Sequence, residues 1–352
     1  MNTLAQKMLT YMDQRELFVE GAPVVLMLSG GGDSVALLHL LKAAEQNAAS
    51  PMPITAMHIN HRLRGVEADA DEDFCRTLCA ELDVPLEVRS LDVAAYAGDH
   101  KLNLEDAGRI LRYREAETLL DEMCDKHQAS HDDGRIVTAH TRDDRVENFF
   151  TRAIFGSGLG GLAGMAAQRG RIVRPLLDCD RKELRDFLSA GGHAWREDPS
   201  NDDESRTRAF IRLNIVPQAE KLRPNFRENL ARTMDLVADD DRLLTDMAQG
   251  FARSFSIERS LNESISLDAR MMLTLDPIMA RRVLRYAITQ TFDDASRLDA
   301  MHTAAILEGL DLLRKIIDSG DRPPPRKVLF ARDIPPALRV KINCDTIEVA
   351  RI

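Results

Sequence analysis

Long apolar runs are absent from this 352-residue chain, and none approaches the roughly 18 residues that a membrane-spanning helix needs. Residues 1–21 interleave charged with apolar side chains, which predicts an amphipathic helix rather than a secretion signal. These two absences argue against a membrane or secreted protein, and we expect a cytoplasmic one.

Cysteines are few and odd in number, and no two of them form a C-x-x-C pair. Two stand four residues apart on a predicted helix, but no His or Cys partners follow at the spacing of metal ligands. We therefore expect reduced thiols in a reducing compartment. The five residues are Cys75, Cys79, Cys124, Cys179 and Cys344.

Positive charge is also in deficit, since the formal net charge is −10, which argues against a nucleic-acid partner. The distribution of charge is uneven, however. Residues 205–232 contain seven basic residues against two acidic ones. This basic segment is consistent with either a solvated helical face or a surface that binds phosphates.

The first half of the chain alternates short apolar runs with longer helical patterns, which predicts an α/β fold with a parallel sheet. Such sheets bind ligands at the carboxyl ends of their strands. We predict strands at 23–28, 54–59, 85–91 and 135–139, helices at 33–46, 68–82, 104–126 and after Asp143, and one more strand and helix within 172–191.

After about Pro217 this alternation stops, and long helical patterns at 225–251, 277–292 and 298–317 predict an all-helical region. A proline-rich break then precedes two short strand-like pieces, 327–330 and 338–342. We therefore expect three parts: an α/β domain at 1–217, a helical domain at 218–320, and a short module with strands at 321–352.

The strongest local signal is the segment Ser29-Gly-Gly-Gly-Asp-Ser34, which joins an apolar strand directly to a helix. Glycines let the backbone approach a phosphate closely, and the free amides of a helix N-terminus face that anion. Ser29 and Ser34 can donate hydroxyl protons, and Asp33 can hold Mg²⁺ on phosphate oxygens. A tight turn with Asp or Ser as helix cap is the alternative, but a cap does not need three glycines.

This segment lacks the Lys of a Walker A loop and does not fit G-x-G-x-x-G. It resembles S-G-G-x-D-S, the loop of the N-type ATP pyrophosphatase superfamily. That resemblance implies a Rossmann-like fold and cleavage of ATP between the α- and β-phosphates, which leaves an adenylated substrate.

The second predicted strand ends in His58-Ile-Asn60-His61, followed by Arg62-Leu-Arg-Gly. Polar residues in this place are consistent with contact to a nucleotide or with structural hydrogen bonds. The segment resembles H-x-N-H and L-R-G of the tRNA(Ile)-lysidine synthetases, which usually have Gly at the position of Arg62.

A helical segment, Asn103–Arg114, places Glu105, Arg109 and Arg112 at helical spacing. Spacing alone favours a salt-bridged solvent face. The segment also resembles the N-L-E-x-x-A-R-x-x-R-Y pattern of the same family, with Gly108 in place of Ala. The resemblance implies that both arginines lie near ATP, to which a guanidinium is well suited.

The segment Thr138–Met165 begins where a strand is predicted to end and a helix to start. Acids there can complement the helix dipole, or supply ligands to Mg²⁺ beside an imidazole. It resembles T-A-H-H-x-D-D-Q-x-E-T and R-G-S-G-x-x-G-L-x-G-M of the family. The matching residues are His140, Asp143, Asp144 and Glu147, and the departures are Thr141, Arg145, Asn148 and Phe155.

The basic segment carries the last resemblance, after Arg174-Pro-Leu-Leu and Glu197-Asp-Pro-Ser-Asn201. Arg208 and Arg212 match the family pattern R-N-x-x-R, whereas Ala209 replaces Asn and Arg206 stands where Tyr is common. We expect the tRNA backbone to bind at Arg208, Arg212, Lys221, Arg223 and Arg227.

These resemblances follow the family order over residues 20–225 and imply a ligase that uses ATP and Mg²⁺. The resemblance implies that ATP adenylates the carbon-2 oxygen of the wobble cytidine in an isoleucine tRNA with a CAU anticodon, and that free lysine then displaces AMP. The helical domain at 218–320 is then expected to contact the tRNA. The alternatives are a related enzyme that thiolates tRNA cytidine and a non-catalytic tRNA-binding relative. The resemblance assigns Ser29, Gly30, Gly31, Gly32, Asp33, Ser34 and His58 to the nucleotide, Asp33 and Asp144 to Mg²⁺, and Arg109, Arg112 and His140 to ATP or the developing charge.

Overall fold

A six-stranded sheet, in the order β3-β2-β1-β4-β6-β5, organises the first of two units, Met1–Val237. A computed structural model describes residues 3–45, 52–60, 66–197, 206–292, 300–320, 324, 327–334 and 337–352. The strands are β1 (Val24–Met27), β2 (Ile54–Asn60), β3 (Leu86–Ser90), β4 (Arg135–Val137), β5 (Gln168–Arg169) and β6 (Ile172–Val173). All neighbours pair in parallel except β5 and β6, so the predicted parallel α/β fold is confirmed.

Helices cover both faces of this sheet. They are α1 (Thr3–Gln14), α2 (Gly32–Glu45), α3 (Val66–Glu81), α4 (Val93–His100), α5 (Leu104–His127), α6 (Arg142–Phe155), α7 (Leu159–Leu162), α8 (Arg181–Ala190), α9 (Thr207–Phe210), a π-helical segment (Ile211–Ile215) and α10 (Val216–Leu222). The predicted strands and helices of this half agree with these bounds to within one or two residues at most ends.

The central strand β1 is apolar on both of its faces, as a parallel strand covered by helices should be. Leu26 packs in the cluster formed with α2, and Val25 packs on the other face with Leu120 and Ile136. The chain leaves β1 for β2 on one side and returns to β4 on the other. The loops that follow β1 and β4 therefore face the same crevice at the carboxyl edge of the sheet.

The second unit, Ala238–Ile352, contains a five-stranded antiparallel sheet in the order β7-β8-β11-β10-β9. Its elements are the end of α11 (Phe226–Phe255), β7 (Ser256–Ser260), β8 (Ser264–Asp268), α12 (Ala269–Leu273), α13 (Pro277–Thr291), α14 (Ala300–Asp318), β9 (Phe330–Ile334), β10 (Leu338–Ile342) and β11 (Thr346–Arg351). The three long helices agree with the sequence prediction.

The two strands β7 and β8 lie in a region for which the sequence predicted only helices, and that expectation is wrong there. In β8, Ile265 and Leu267 are buried and alternate with serines, a two-residue period that a short segment shows only weakly. Because β8 pairs with β11, the tail shares a sheet with the preceding region. The two compact units of the structure meet between Val237 and Ala238, within α11.

None of the helices formed by the described residues combines the length and the apolar character that crossing a membrane requires.

A pair of stacked histidines joins α2 to the segment after α8. The rings of His39 and His193 lie 3.7 Å apart between centroids, with their planes 24° apart. Burial first, and then the neighbouring His193, lower the pKa of His39 to about 4. A histidine whose pKa falls on folding binds its proton more weakly in the folded chain, so acid favours unfolding.

We therefore expect a contribution of His39 to the free energy of unfolding that is fully present above pH 6.5 and is lost as the pH falls towards 4. The variant His39→Phe keeps an aromatic ring but cannot titrate, so its stability should fall less over this range. Urea unfolding of both proteins at pH 7.5, 6.0 and 5.0 measures the difference. Identical pH dependence in the two proteins would contradict this prediction.

Candidate active site

The loop between β1 and α2 is held in a fixed turn by its own two serines. The Ser34 hydroxyl donates to the Gly31 carbonyl oxygen at 2.9 Å and accepts from the Ser29 amide at 3.2 Å. The Ser29 hydroxyl accepts from the Gly31 amide at 3.3 Å. Gly30 has a φ of +84°, in the left-handed region that glycine adopts without strain. The loop is thus preformed at the N-terminus of α2, where backbone amides favour an anion.

This loop borders a cleft of about 870 Å³ at the carboxyl edge of the sheet. The cleft brings together most of the residues that the sequence predicted for the site. Of those, the lining contains Ser29, Gly31, Gly32, Asp33, Ser34, His58, Arg109, Arg112, His140, Arg208 and Arg212.

His58 and Asn60 follow from β2 beside the loop. The Nδ1 atom of His58 lies 2.9 Å from the Leu28 carbonyl oxygen, which fixes the buried ring against β1. The side-chain amide of Asn60 donates to Asp69 and Glu72 at 3.3 and 3.1 Å. Both side chains thus make structural contacts, and both also line the cleft. His61, Arg62 and residues 198–201 lie outside the described residues.

Four carboxylates from α2 and α6 gather around one arginine, Arg181, which is the first residue of α8. Its Nη2 donates to Asp144 at 2.7 Å, its Nη1 to Glu147 at 3.0 Å, and its Nε to Asp33 at 3.2 Å. Its backbone amide donates to Asp143 at 2.7 Å. The surrounding carboxylates raise the pKa of Arg181 despite burial, so it stays charged.

Sequence reasoning missed Arg181. The capping box formed by Asp180 and Glu183 marks the start of α8 in the sequence. Nothing in that local pattern, however, relates Arg181 to Asp33, which is 148 positions earlier. Only the tertiary packing of α8 against α2 brings the two residues together.

The carboxylates of the cluster differ in their readiness to lose a proton. Burial and the nearby Asp144 raise the pKa of Asp33 to about 6, against the effect of Arg181. Burial also acts on Asp144, but Arg181, His140 and the Thr141 amide outweigh it and lower the pKa of that carboxyl. Asp144 is therefore the firmly ionised member of the pair.

The oxygens of Asp33 and Asp144 offer different opportunities to a magnesium ion. Asp33 Oδ1 is buried and has no hydrogen-bond partner within the part of the chain that the structure describes, as an oxygen that can bind a cation would be. Both oxygens of Asp144 are engaged, Oδ1 with Arg181 and Oδ2 with the backbone amide and hydroxyl of Thr141. Among the described residues no group of three His, Cys, Asp or Glu side chains is arranged for a metal. The donors fit Mg²⁺ that arrives with phosphate oxygens, as this ion commonly does.

His140 projects into the cleft from the end of β4. Its Nδ1 lies 2.9 Å from the Thr138 hydroxyl. Burial, followed by Arg174, Arg208 and Arg109, lowers the pKa of His140 to about 4, against the opposing effect of Asp144. The imidazole is consequently neutral near pH 7 and can exchange one hydrogen bond without carrying charge.

Arg109 and Arg112 line the cleft from α5. The guanidinium of Arg109 lies over the ring of Tyr113, 5.5 Å from its centroid. Burial, and the repulsion from Arg109, lower the pKa of Arg112, which nevertheless stays charged because guanidinium deprotonates only at very high pH. Both guanidinium groups thus bring positive charge to the cleft.

Two departures from the family pattern have structural roles here. The Thr141 side chain caps α6 in a reciprocal box with Asp144. The buried Arg145 donates to Asp235 of α11 at 2.6 Å. Phe155, in contrast, is 71% exposed, and no contact in the described residues accounts for it.

The predicted tRNA-binding residues fall into two groups. Arg208 and Arg212 approach Glu147 at 3.8 and 3.6 Å, and Arg227 forms ion pairs with Asp143 and Glu220. Lys221 and Arg223 are exposed near the end of α10. Three of the five thus neutralise the acidic residues, and two lie on the surface.

Comparison with known proteins finds one domain family and relatives with one shared name. A profile of the PP-loop domain family matches residues 1–219. A tRNA(Ile)-lysidine synthase of Parabacteroides distasonis is 36% identical over 225 residues, 64% of this chain and 48% of that protein. Another, of Geobacter sulfurreducens, is 33% identical over 309 residues, 87% of this chain and 63% of that protein. This chain thus spans about half to nearly two thirds of the length of these relatives.

A solved structure shares the fold. A U34-tRNA thiolase, NcsA, from Methanococcus maripaludis, described with its 4Fe-4S cluster, superposes with a TM-score of 0.51 at 17% identity. The match covers 67% of this chain and 78% of the thiolase. At this identity the likeness concerns the fold alone.

We predict that Arg181→Met destabilises the chain by about 3–5 kcal/mol, because it removes the guanidinium that contacts three carboxylates of a partly buried cluster. Added Mg²⁺ should restore part of this loss, since the ion can replace the missing charge. Free energies of unfolding, measured in urea with and without Mg²⁺, test both statements. The exposed neighbour Lys182, which pairs with Asp186, serves as the matched control in Lys182→Met. Equal stability of the two variants would contradict the assigned role.

Proposed function

The chain belongs to the PP-loop domain family, and on this basis we propose that it binds ATP at Ser29–Ser34 and cleaves it between the α- and β-phosphates. The observation that carries the proposal is the preformed loop at the N-terminus of α2, which includes the Asp33 carboxylate. Backbone amides and two hydroxyls supply donors to phosphate, and the arginines of the cleft supply charge.

We further propose that the activated group is the carbon-2 oxygen of the wobble cytidine in an isoleucine tRNA with a CAU anticodon. Adenylation converts a poor leaving oxygen into AMP, which free lysine then displaces to give lysidine. The similarity to two tRNA(Ile)-lysidine synthases over 64% and 87% of this chain supports this choice of substrates. With a tRNA substrate, we expect the reaction to take place in the cytoplasm.

The roles of the site residues follow from their charges. Asp33 and Asp144 would hold Mg²⁺, and Arg181 would then pair with phosphate oxygens. The ion, when bound, neutralises charge on the phosphates. Arg109 and Arg112 bind the negative charge of ATP, and neutral His140 exchanges a hydrogen bond with the nucleotide or the target base.

Lysine ligation is favoured over cytidine thiolation by the environment of the cysteines. Cys75, Cys79 and Cys179 pack in one hydrophobic cluster and Cys124 in another. Burial raises the pKa of the Cys75 and Cys179 thiols to about 12 and that of Cys79 to about 11. Thiols in such surroundings are poor nucleophiles and poor cluster ligands.

The function is tested by incubating the chain with ATP, Mg²⁺ and isoleucine tRNA, first without lysine and then with it. We expect tRNA-dependent release of pyrophosphate in the first case and a lysine adduct, detected by mass spectrometry of the tRNA, in the second. Asp33→Ala should reduce the release at least about 100-fold without unfolding the chain, because Arg181 keeps its contacts with Asp144 and Glu147. Release by Asp33→Ala at the rate of Lys182→Met would defeat the assignment. A wild-type protein that binds tRNA but releases no pyrophosphate would be a non-catalytic relative.

The surface group of the basic segment provides a separate test of tRNA binding. We expect Lys221→Ala/Arg223→Ala to weaken tRNA binding and to reduce the salt dependence of log K by about two units or slightly less. The control Lys126→Ala/Lys182→Ala removes two exposed charges outside this segment. Filter binding at several salt concentrations measures both slopes. Unchanged slopes in the first variant would place the tRNA surface elsewhere.

A further inference from the structure

A second arginine of α8, Arg185, lies one turn beyond Arg181 and reaches the same cleft. Its Nε lies so close to Gly32 that a Cβ there would stand 2.6 Å from it. Glycine at position 32 is therefore what allows the guanidinium to lie against the first turn of α2. This turn carries the amides that face a bound anion.

The contacts of Arg185 are those of a residue that can exchange its partner. Its Nη1 forms an ion pair with Glu197, whose side chain is 58% exposed. Its Nε is buried and has no hydrogen-bond partner among the described residues. Exposed ion pairs contribute little to stability, so a more highly charged anion can replace the carboxylate.

An aromatic ring keeps the guanidinium in place during such an exchange. Arg185 lies over the ring of Trp195, 5.3 Å from its centroid. The Trp195 indole donates to the same Glu197 carboxylate at 2.7 Å. When Glu197 releases Arg185, the environment of Trp195 changes as well.

We propose that Arg185 is a further phosphate-binding residue, which exchanges Glu197 for oxygens of the pyrophosphate part of the nucleotide. The proposal rests on ATP binding at the Ser29–Ser34 loop. Arg185 enters the cleft from α8 against Gly32, whereas His140 and Arg109 enter it from the end of β4 and from α5. We therefore assign Arg185 to the phosphates that leave rather than to the α-phosphate that reacts.

The experiment measures the binding of ATP, inorganic pyrophosphate and AMP to the full chain by calorimetry. Arg185→Met should weaken the binding of ATP and of pyrophosphate about tenfold or more, since it removes a charge-assisted hydrogen bond. Its affinity for AMP should stay within about twofold of the wild-type value. Arg185→Lys should fall between, because it keeps the charge without the planar fork. The control Lys182→Met, on the same helix, should bind all three ligands like the wild type.

Two further readouts separate ligand binding from a merely structural pair. The chain contains one tryptophan, so pyrophosphate should change its fluorescence in the wild type but not in Arg185→Met. Glu197→Gln removes the competing carboxylate and should tighten pyrophosphate binding, whereas a structural pair would give weaker binding.

The outcomes distinguish this proposal from the proposed function. Wild-type protein that binds neither ATP nor pyrophosphate would overturn both. Two results would overturn the role of Arg185 alone. Arg185→Met could bind ATP as tightly as the wild type, or it could lose affinity for AMP and ATP equally. Melting curves of each variant establish that it is folded.

Discussion

The ionic contacts of Arg181 are the interaction on which the candidate site depends, because they connect three segments that are far apart in sequence. Asp33 follows β1, Asp144 and Glu147 belong to α6 after β4, and Arg181 begins α8. Without a cation between them, these carboxylates would repel one another in a place that water reaches poorly. The cluster therefore fixes the Ser29–Ser34 loop relative to α6, and any ion or ligand that enters must replace charge with charge.

The same principle explains how a chain with a net charge of −10 can have a cleft suited to polyphosphate. Arg109, Arg112, Arg181, Arg185, Arg196, Arg208 and Arg212 all line it. Several of them are paired with carboxylates, among them Arg196 with Asp71 at 2.7 Å. An arginine held by a carboxylate is oriented before its ligand arrives, and exchange of one anion for another costs less than ordering a free side chain. Net charge is thus a poor guide to what this cleft binds.

The sequence predicted those features that depend on short stretches of chain. The loop at Ser29–Ser34, the parallel strands and the long helices each have a local signature, in glycine spacing or in the period of apolar residues. Arg181 and Arg185 have none, since their roles arise only when α8 packs on α2. The strands β7 and β8 were missed for a related reason, because each is five residues long and is stabilised by pairing within a sheet that also contains β11. Tertiary contacts decided each of these cases.

The contacts of Thr141 in the fold explain one departure from the family pattern. Thr141 stands where a second histidine is usual, and here its backbone amide and hydroxyl bind one oxygen of Asp144. That contact helps to keep Asp144 ionised and leaves its other oxygen for Arg181. A threonine at this position therefore preserves the charge of the acidic cluster, although it cannot transfer a proton as histidine does.

Any proton transfer by an imidazole from this segment falls to His140, whose pKa of about 4 makes it an uncharged hydrogen-bonding group at neutral pH. Chemistry that proceeds by phosphate neutralisation and departure of AMP requires fixed charges more than a titrating base, and this site supplies them.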